Sequence, residues 1–171
     1  MKLYKKTTSE LTKKDIREII SLKNSHWNFG FSSQLSWFTN KKNVFNNDLH
    51  FFLKKKKKII AYVQLGKRKC YMGLQQNKYI LFRTLIVSKL ERGKNISQII
   101  MNEVTEYVKI QKQSCFLLCK NKLTKFYKNY KFIKLDQKKY KVIGHKNYLV
   151  GMIYNLNKDN LKKNKKFFYN N

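Results

Sequence analysis

The stretch RTLIVSKLERGKNISQIIMNEVTEYVKI, residues 83–110, decides how this chain is read. It begins with Leu85-Ile86-Val87, an apolar run rich in β-branched residues and suited to a pleated, buried surface. Glu91-Arg92-Gly93-Lys94-Asn95 follows as a polar turn. Ile96, Ile99, Ile100, Val104, Tyr107 and Val108 then recur at the three-and-four spacing that keeps one helical face apolar. A strand running straight into a helix N-terminus gathers free backbone N–H groups and the positive end of the helix dipole at one point, which favours an anion. Arg92 and Lys94 crowd the same turn, so a phosphate-bearing ligand is expected there.

Working outward, Lys78 to Val87 reads as one long central strand leading into the turn. Beyond the helix, Cys115-Phe116-Leu117-Leu118-Cys119 is a second continuous apolar run, as strands of parallel pairs tend to be. Strand, helix and strand make a crossover unit, and the class expected is α/β with a mixed sheet. Upstream, Leu49–Leu53 and Ile59–Leu65 read as a hairpin whose solvated tip is the lysine run 54–58, with charges that also guard the strand edges. Gly66 to Asn77 reads as a polar loop with Gly73 as a turn residue. A short first strand is expected over Met1–Lys6. Thr12 marks the start of a helix carrying Ile16, Ile19, Ile20 and Leu22. Ser32 or Ser33 is expected to cap a second helix with Leu35, Trp37 and Phe38. Phe132–Leu135 and Tyr148–Tyr154 complete the strands, and the whole is one domain over 1–156 with a basic, flexible tail over 157–171.

Composition narrows the function classes. A 171-residue chain with 42% hydrophobic and 15% aromatic residues has enough apolar material for a real core. No window has the long uncharged apolar run of a membrane span, and the start MKLYKKTTSE lacks a signal-peptide apolar region. Cys70, Cys115 and Cys119 form neither a CxxC pair nor an even framework, which points to a reduced, cytoplasmic setting. His26, His50 and His145 stand far apart, none at ligand spacing from a cysteine, so no metal is expected. The net charge of +30 raises nucleic acid as a partner. Nearly all of that charge is lysine, beside abundant Asn, Ile, Phe and Tyr and no Pro, a bias that an AT-rich genome imposes on any surface. Nucleic acid is therefore the secondary expectation.

Leu85, Val87, Arg92, Gly93 and Ile96, spaced as Leu-x-Val-x-x-x-x-Arg-Gly-x-x-Ile, resemble the acyl-CoA-binding motif of the GNAT superfamily of N-acyltransferases. The family's Gln/Arg-x-x-Gly-x-Gly/Ala segment stands here as Arg92-Gly93-Lys94-Asn95-Ile96-Ser97. Asn tolerates a left-handed backbone and Ser is small and able to cap, so both replacements conserve geometry. The resemblance implies a GNAT-like fold, with a central, mostly antiparallel sheet splayed at a parallel strand pair and helices on both faces. It implies that Leu85, Ile86 and Val87 on a bulged strand, with Arg92 to Ser97 after it, hold acetyl-CoA through backbone amides around the pyrophosphate. A second segment, Asn121-x-x-x-x-Phe126-Tyr127-x-x-x-Lys131-Phe132, is similar to the family's Asn-x-x-x-x-Phe-Tyr-x-x-x-Gly-Phe, with Lys131 in place of Gly. It implies Tyr127 as the acid for the departing thiolate, a job that suits an unperturbed phenol with a pKa of about 10. It also implies Asn121 as a contact to the cofactor arm. In the family an aromatic loop walls the acceptor site. Trp27 and Phe29, with His50, are the substrate candidates here, although most of Trp27, Phe29, Phe31 and Trp37 read as core side chains.

The implied activity is transfer of an acetyl group from acetyl-CoA to a primary amine of a small molecule, such as an amino sugar carried on a nucleotide. The backbone N–H at Val87, or beside it on the bulge, is the implied donor to the thioester carbonyl. Other readings are a protein or peptide N-acetyltransferase, and an N-acyltransferase taking a longer chain from an acidic carrier protein. A non-catalytic, basic nucleic-acid-binding module is the last. A general base does not stand out, because Lys78 to Val87 carries no acidic residue. His26, His50, Asp48 and Asp136 are candidates, each read first as surface or core.

Overall fold

The computed structural model describes residues 1–41, 43–72, 75–136, 138, 140–142, 149–155 and 167–169. The elements in chain order are β1 (Lys2–Thr7), α1 (Lys13–His26), α2 (Phe31–Thr39), β2 (Leu49–Lys55), β3 (Lys58–Met72), β4 (Gln75–Val87) and α3 (Ile96–Ile110). There follow β5 (Cys115–Cys119), α4 (Thr124–Lys128), β6 (Ile133–Lys134), β7 (Tyr140–Val142), β8 (Val150–Tyr154) and β9 (Phe167–Tyr169). Two compact units are formed, one by Met1–Gly66 with Arg83–Val104, the other by Lys67–Phe82 with Thr105–Asn171.

In the first unit β1, β2 and the start of β3 are an antiparallel meander, with Lys2 opposite Lys54 and Leu49 opposite Leu65. The tip of the hairpin is only Lys56 and Lys57, both at positive φ (47° and 64°), the pair of conformations a type I′ turn requires. The rest of the lysine run lies in strands, where Lys54 is paired with Asp15 at 2.8 Å and Lys55 with Glu91 at 2.9 Å. Helix α1 starts as expected at Thr12, whose Oγ1 accepts from Asp15 N at 3.1 Å while Asp15 Oδ2 accepts from Thr12 N at 3.2 Å. The second helix is capped by neither serine. Gly30, at φ 82°, precedes it, and its carbonyl accepts from Gln34 N at 3.1 Å. Ile19, Ile20 and Leu22 of α1 and Phe38 of α2 pack on Phe52, Tyr62 and Ile86 from the strands. The alternate residues Phe51, Leu53, Ala61 and Val63 are buried as well, so both faces of this sheet are covered.

In the second unit the parallel pair is β4 with β5, Ile80 opposite Cys115 and Leu81 opposite Phe116. Together with α3 they form the expected crossover. Strand β8 pairs antiparallel with β5 on one side and β6 on the other. Cys70, Tyr79, Leu81, Phe116, Leu135 and Ile153 make the core. Gly66–Asn77 departs from its expected loop, because β3 continues to Met72 and β4 begins at Gln75. Exposed Lys67 and Lys69 alternate with buried Arg68 and Cys70, the period of a half-solvated strand. Gly73 lies outside the described residues, as do His145 and the tail over 157–171 apart from β9, which pairs antiparallel with Cys70–Met72.

Candidate active site

Thr84, near the end of β4, sits at φ 61°. A β-branched residue there is a backbone outlier and marks a bulge. Successive residues of a regular strand face opposite ways, yet Arg83 and Thr84 both address α2. Arg83 Nη1 donates to Asn43 O at 2.7 Å with the guanidinium 5.8 Å from the Trp37 ring, and Thr84 lines a cavity with that same Trp37. Past the bulge Ile86 is buried in the core, and Leu85 and Val87 are half-buried.

From Val87 the chain passes through a 3₁₀ turn, Lys89–Glu91, to the loop before α3. Gly93 is at φ 77° and Asn95 at φ 57°, so the left-handed position expected for Asn95 is occupied. A Cβ on Gly93 would meet nothing within 4 Å, so glycine is needed there for its backbone and the loop is open outside. The first bonds of the helix run from Gln98 N and Ile99 N back to Asn95 O at 3.0 and 3.4 Å. Ile96 and Ser97 thus open the helix with N–H groups that have no intrahelical acceptor. Arg92 Nη2 donates to His26 Nδ1 at 2.9 Å, and Lys94 Nζ donates to Leu90 O at 2.9 Å and to the Glu91 carboxylate at 3.3 Å. Open amides, the helix dipole and two cations are a donor set that fits a diphosphate.

Above the bulge lies a cavity of about 570 Å³ lined by Lys23, Trp27, Phe29, Ser33, Gln34, Trp37 and Thr84. Of the four aromatics read mostly as core, Trp27 and Trp37 pack against the core and Phe29 and Phe31 do not. Phe29 is 67% exposed, Phe31 is exposed, and Trp27 and Trp37 are half-buried at the margin of the core. Trp27 and Phe29 do line the cavity; His50 does not. It has 0% exposure, with Nδ1 2.8 Å from the Tyr62 hydroxyl and Nε2 2.8 Å from that of Thr8. Burial holds its pKa down at about 4, outweighing nearby Asp48. The His50 reading is therefore corrected to a buried, neutral hydrogen-bonding residue. Asp48 is buried too, accepting from Phe45 N at 3.2 Å and Gln64 Nε2 at 3.0 Å, and Asp136 accepts from Lys138 N at 3.0 Å.

Lys23 escaped sequence reading. It is 5% exposed, its ammonium 4.0 Å above the Trp37 ring, and burial, then the charge of Arg83, lowers its pKa to about 8. The signal was present: Ile16, Ile19, Ile20 and Lys23 share the apolar stripe of one helix, a lysine where a core residue is due.

In the second unit Tyr127 sits on α4, which ends in a Schellman motif. Phe132 N donates to Tyr127 O at 3.2 Å and Lys131 N to Lys128 O at 2.9 Å, with Lys131 at φ 64°. The Tyr127 ring lies edge-on to Phe82 and Phe132 at 5.8 Å from each. Burial pushes the phenol well above its usual value, so the unperturbed phenol of the sequence reading is corrected. Asn121 is exposed at the start of a 3₁₀ turn, its carbonyl accepting from Thr124 Oγ1 at 2.8 Å. Among the described residues no cluster of His, Cys, Asp or Glu could hold a metal ion, and no helix is long and apolar enough to cross a membrane.

The sequence matches no protein-family profile and no curated protein. Its structure is similar to GNAT family N-acetyltransferase YhbS from Escherichia coli in complex with CoA, at 11% identity and a TM-score of 0.70, over 98% of this chain and 88% of that one. An acyl-CoA N-acyltransferase from Pseudomonas aeruginosa is similar at 13% identity and 0.69, over 89% and 97%. Escherichia coli ElaA is similar at 17% identity and 0.66, again over 89% and 97%. With the bulge in β4, the open turn at the start of α3 and the parallel β4–β5 pair, these likenesses establish that the chain has the mixed α/β fold of the GNAT N-acetyltransferases.

Proposed function

We propose that the chain is an N-acetyltransferase that moves an acetyl group from acetyl-CoA to a primary amine of a small molecule. The observation that carries this reading is the turn between β4 and α3, with Gly93 and Asn95 left-handed and the amides of Ile96 and Ser97 open. On this fold, that turn suits the pyrophosphate of coenzyme A, with Arg92 and Lys94 adding charge at its rim. The structure of YhbS in complex with CoA supports the same assignment. The thioester supplies an activated acyl group. A cavity of about 570 Å³ falls in the size range of small-molecule sites and has room for an amine the size of an amino sugar.

The chain's residues then have distinct tasks. Leu85, Ile86 and Val87 would lie along the pantetheine arm, with the Val87 N–H donating to the thioester carbonyl as charge develops on its oxygen. Asn121 would contact the same arm. Tyr127, protonated at every physiological pH, would donate a hydrogen bond to the leaving sulfur. Its raised pKa makes it a better donor than proton source for a thiolate whose own pKa is about 8.5. His50 and Asp48 are committed to buried hydrogen bonds, so positioning supplies much of the rate and water takes the ammonium proton. The test is release of free thiol from acetyl-CoA across a panel of primary amines, with product mass read by spectrometry. A product heavier by one acetyl group is expected. No thiol release with any amine contradicts the reading, and transfer only to peptides would replace its acceptor.

A further inference from the structure

The cavity over the β4 bulge contains a cation without an anion. Lys23 lines it, is 5% exposed and stacks on Trp37. Among the described residues Lys23 forms no ion pair with a carboxylate, and the cation beside it is Arg83, whose guanidinium lies 5.8 Å from the same Trp37 ring. An ammonium largely withdrawn from water with no opposite charge is costly, and burial of this kind normally ends in pairing. Gln34, also 5% exposed, places an amide on the same wall. Trp27, Phe29 and Trp37 supply the apolar and aromatic remainder. An acceptor bearing only an ammonium would meet two like charges here. One that also carries a carboxylate would neutralise Lys23 and bring its amine in as part of a zwitterion.

We propose that this cavity binds an amine acceptor carrying a carboxylate on an apolar or aromatic body, with the carboxylate on Lys23 and Gln34. The part of the proposal that concerns acetylation rests on the transferase reading above; the binding part does not. The chain has two tryptophans, Trp27 and Trp37, and both line the cavity, so intrinsic fluorescence reports its occupancy directly. The probes are 3-phenylpropionate against 3-phenylpropanamide for binding, and phenylalanine against phenethylamine for acetyl transfer.

The carboxylate probe is expected to change the fluorescence saturably with a Kd at least tenfold lower than the amide. Lys23→Met should abolish that difference and Lys23→Arg should keep part of it. In turnover, Lys23→Met should lower kcat/KM for phenylalanine at least tenfold more than for phenethylamine. Equal affinity for the two probes, no fluorescence change with either, or a preference that survives Lys23→Met overturns the proposal. So does an equal loss of turnover on both amines, which would mark a packing or proton-transfer role. Thiol release absent from every amine, with the carboxylate preference intact in fluorescence, would sink the transferase reading alone.

Discussion

Lys131 carries a backbone strain that its position explains. It is the left-handed residue of the Schellman motif after α4, where glycine is the usual occupant and an L side chain costs about 1–2 kcal/mol. Lys131→Gly should therefore raise the free energy of unfolding by about 1 kcal/mol, measured by urea titration, despite the entropy glycine adds to the unfolded chain. Tyr127 is held by the same motif. Tyr127→Phe should lower kcat at least tenfold with little change in KM for acetyl-CoA, in steady-state kinetics; unchanged kcat would remove its role at sulfur. At Lys23 the sign of the pH effect follows from its lowered pKa. The side chains facing it include Arg83 from β4, charged throughout, and His50 from β2, held near 4 and neutral. Carboxylate affinity should be full below about pH 8 and fall about tenfold per pH unit above it, followed by Trp fluorescence. At this scale residue type and order single out Trp27 and Phe29, which line the cavity, while the steady-state kinetics decide the role of Tyr127. The sequence could not reveal that His50 is enclosed by Thr8 and Tyr62, because those partners come from β3 and from the segment after β1.

The turn between β4 and α3 is the element on which the cofactor assignment stands. Arg92 is exposed and bonded to His26 from α1 and, at 3.4 Å, to Val87 O. Arg92→Ala should raise KM for acetyl-CoA several-fold and leave kcat within about twofold, since a rim cation binds ground state and transition state alike. This element was legible because its pattern is local: an apolar strand, a Gly-containing turn, then helical periodicity. The run from Gly66 to Asn77 was not, because lysines on the wet side of a strand look the same in sequence as lysines in a loop. Likewise, a positive φ at Gly30 caps α2 where two serines offered a more familiar signal. The left-handed backbone at Thr84 has no composition cue at all, since a β-branched residue ordinarily favours a regular strand.

For the molecule as a whole, the excess of 39 basic over 9 acidic residues leaves two accounts of any polyanion binding. A diffuse basic surface binds through released counterions and weakens steeply with salt, whereas a formed turn binds one ligand by directed hydrogen bonds and weakens little. Element order and the parallel pair at Ile80 and Leu81 could be read from hydrophobic pattern, which is why the fold was legible as a whole. The charge could not be interpreted in the same way, because a lysine count carries no geometry. The decisive measurement is a calorimetric titration of acetyl-CoA, with ATP and a duplex oligonucleotide as comparators, at low salt and at about 0.3 M salt. The account predicts one acetyl-CoA per chain, binding that shifts less than about threefold between the two salts, and at the higher salt at least tenfold tighter binding than ATP. Acetyl-CoA that binds no better than ATP, or fades with salt as the duplex does, would contradict it.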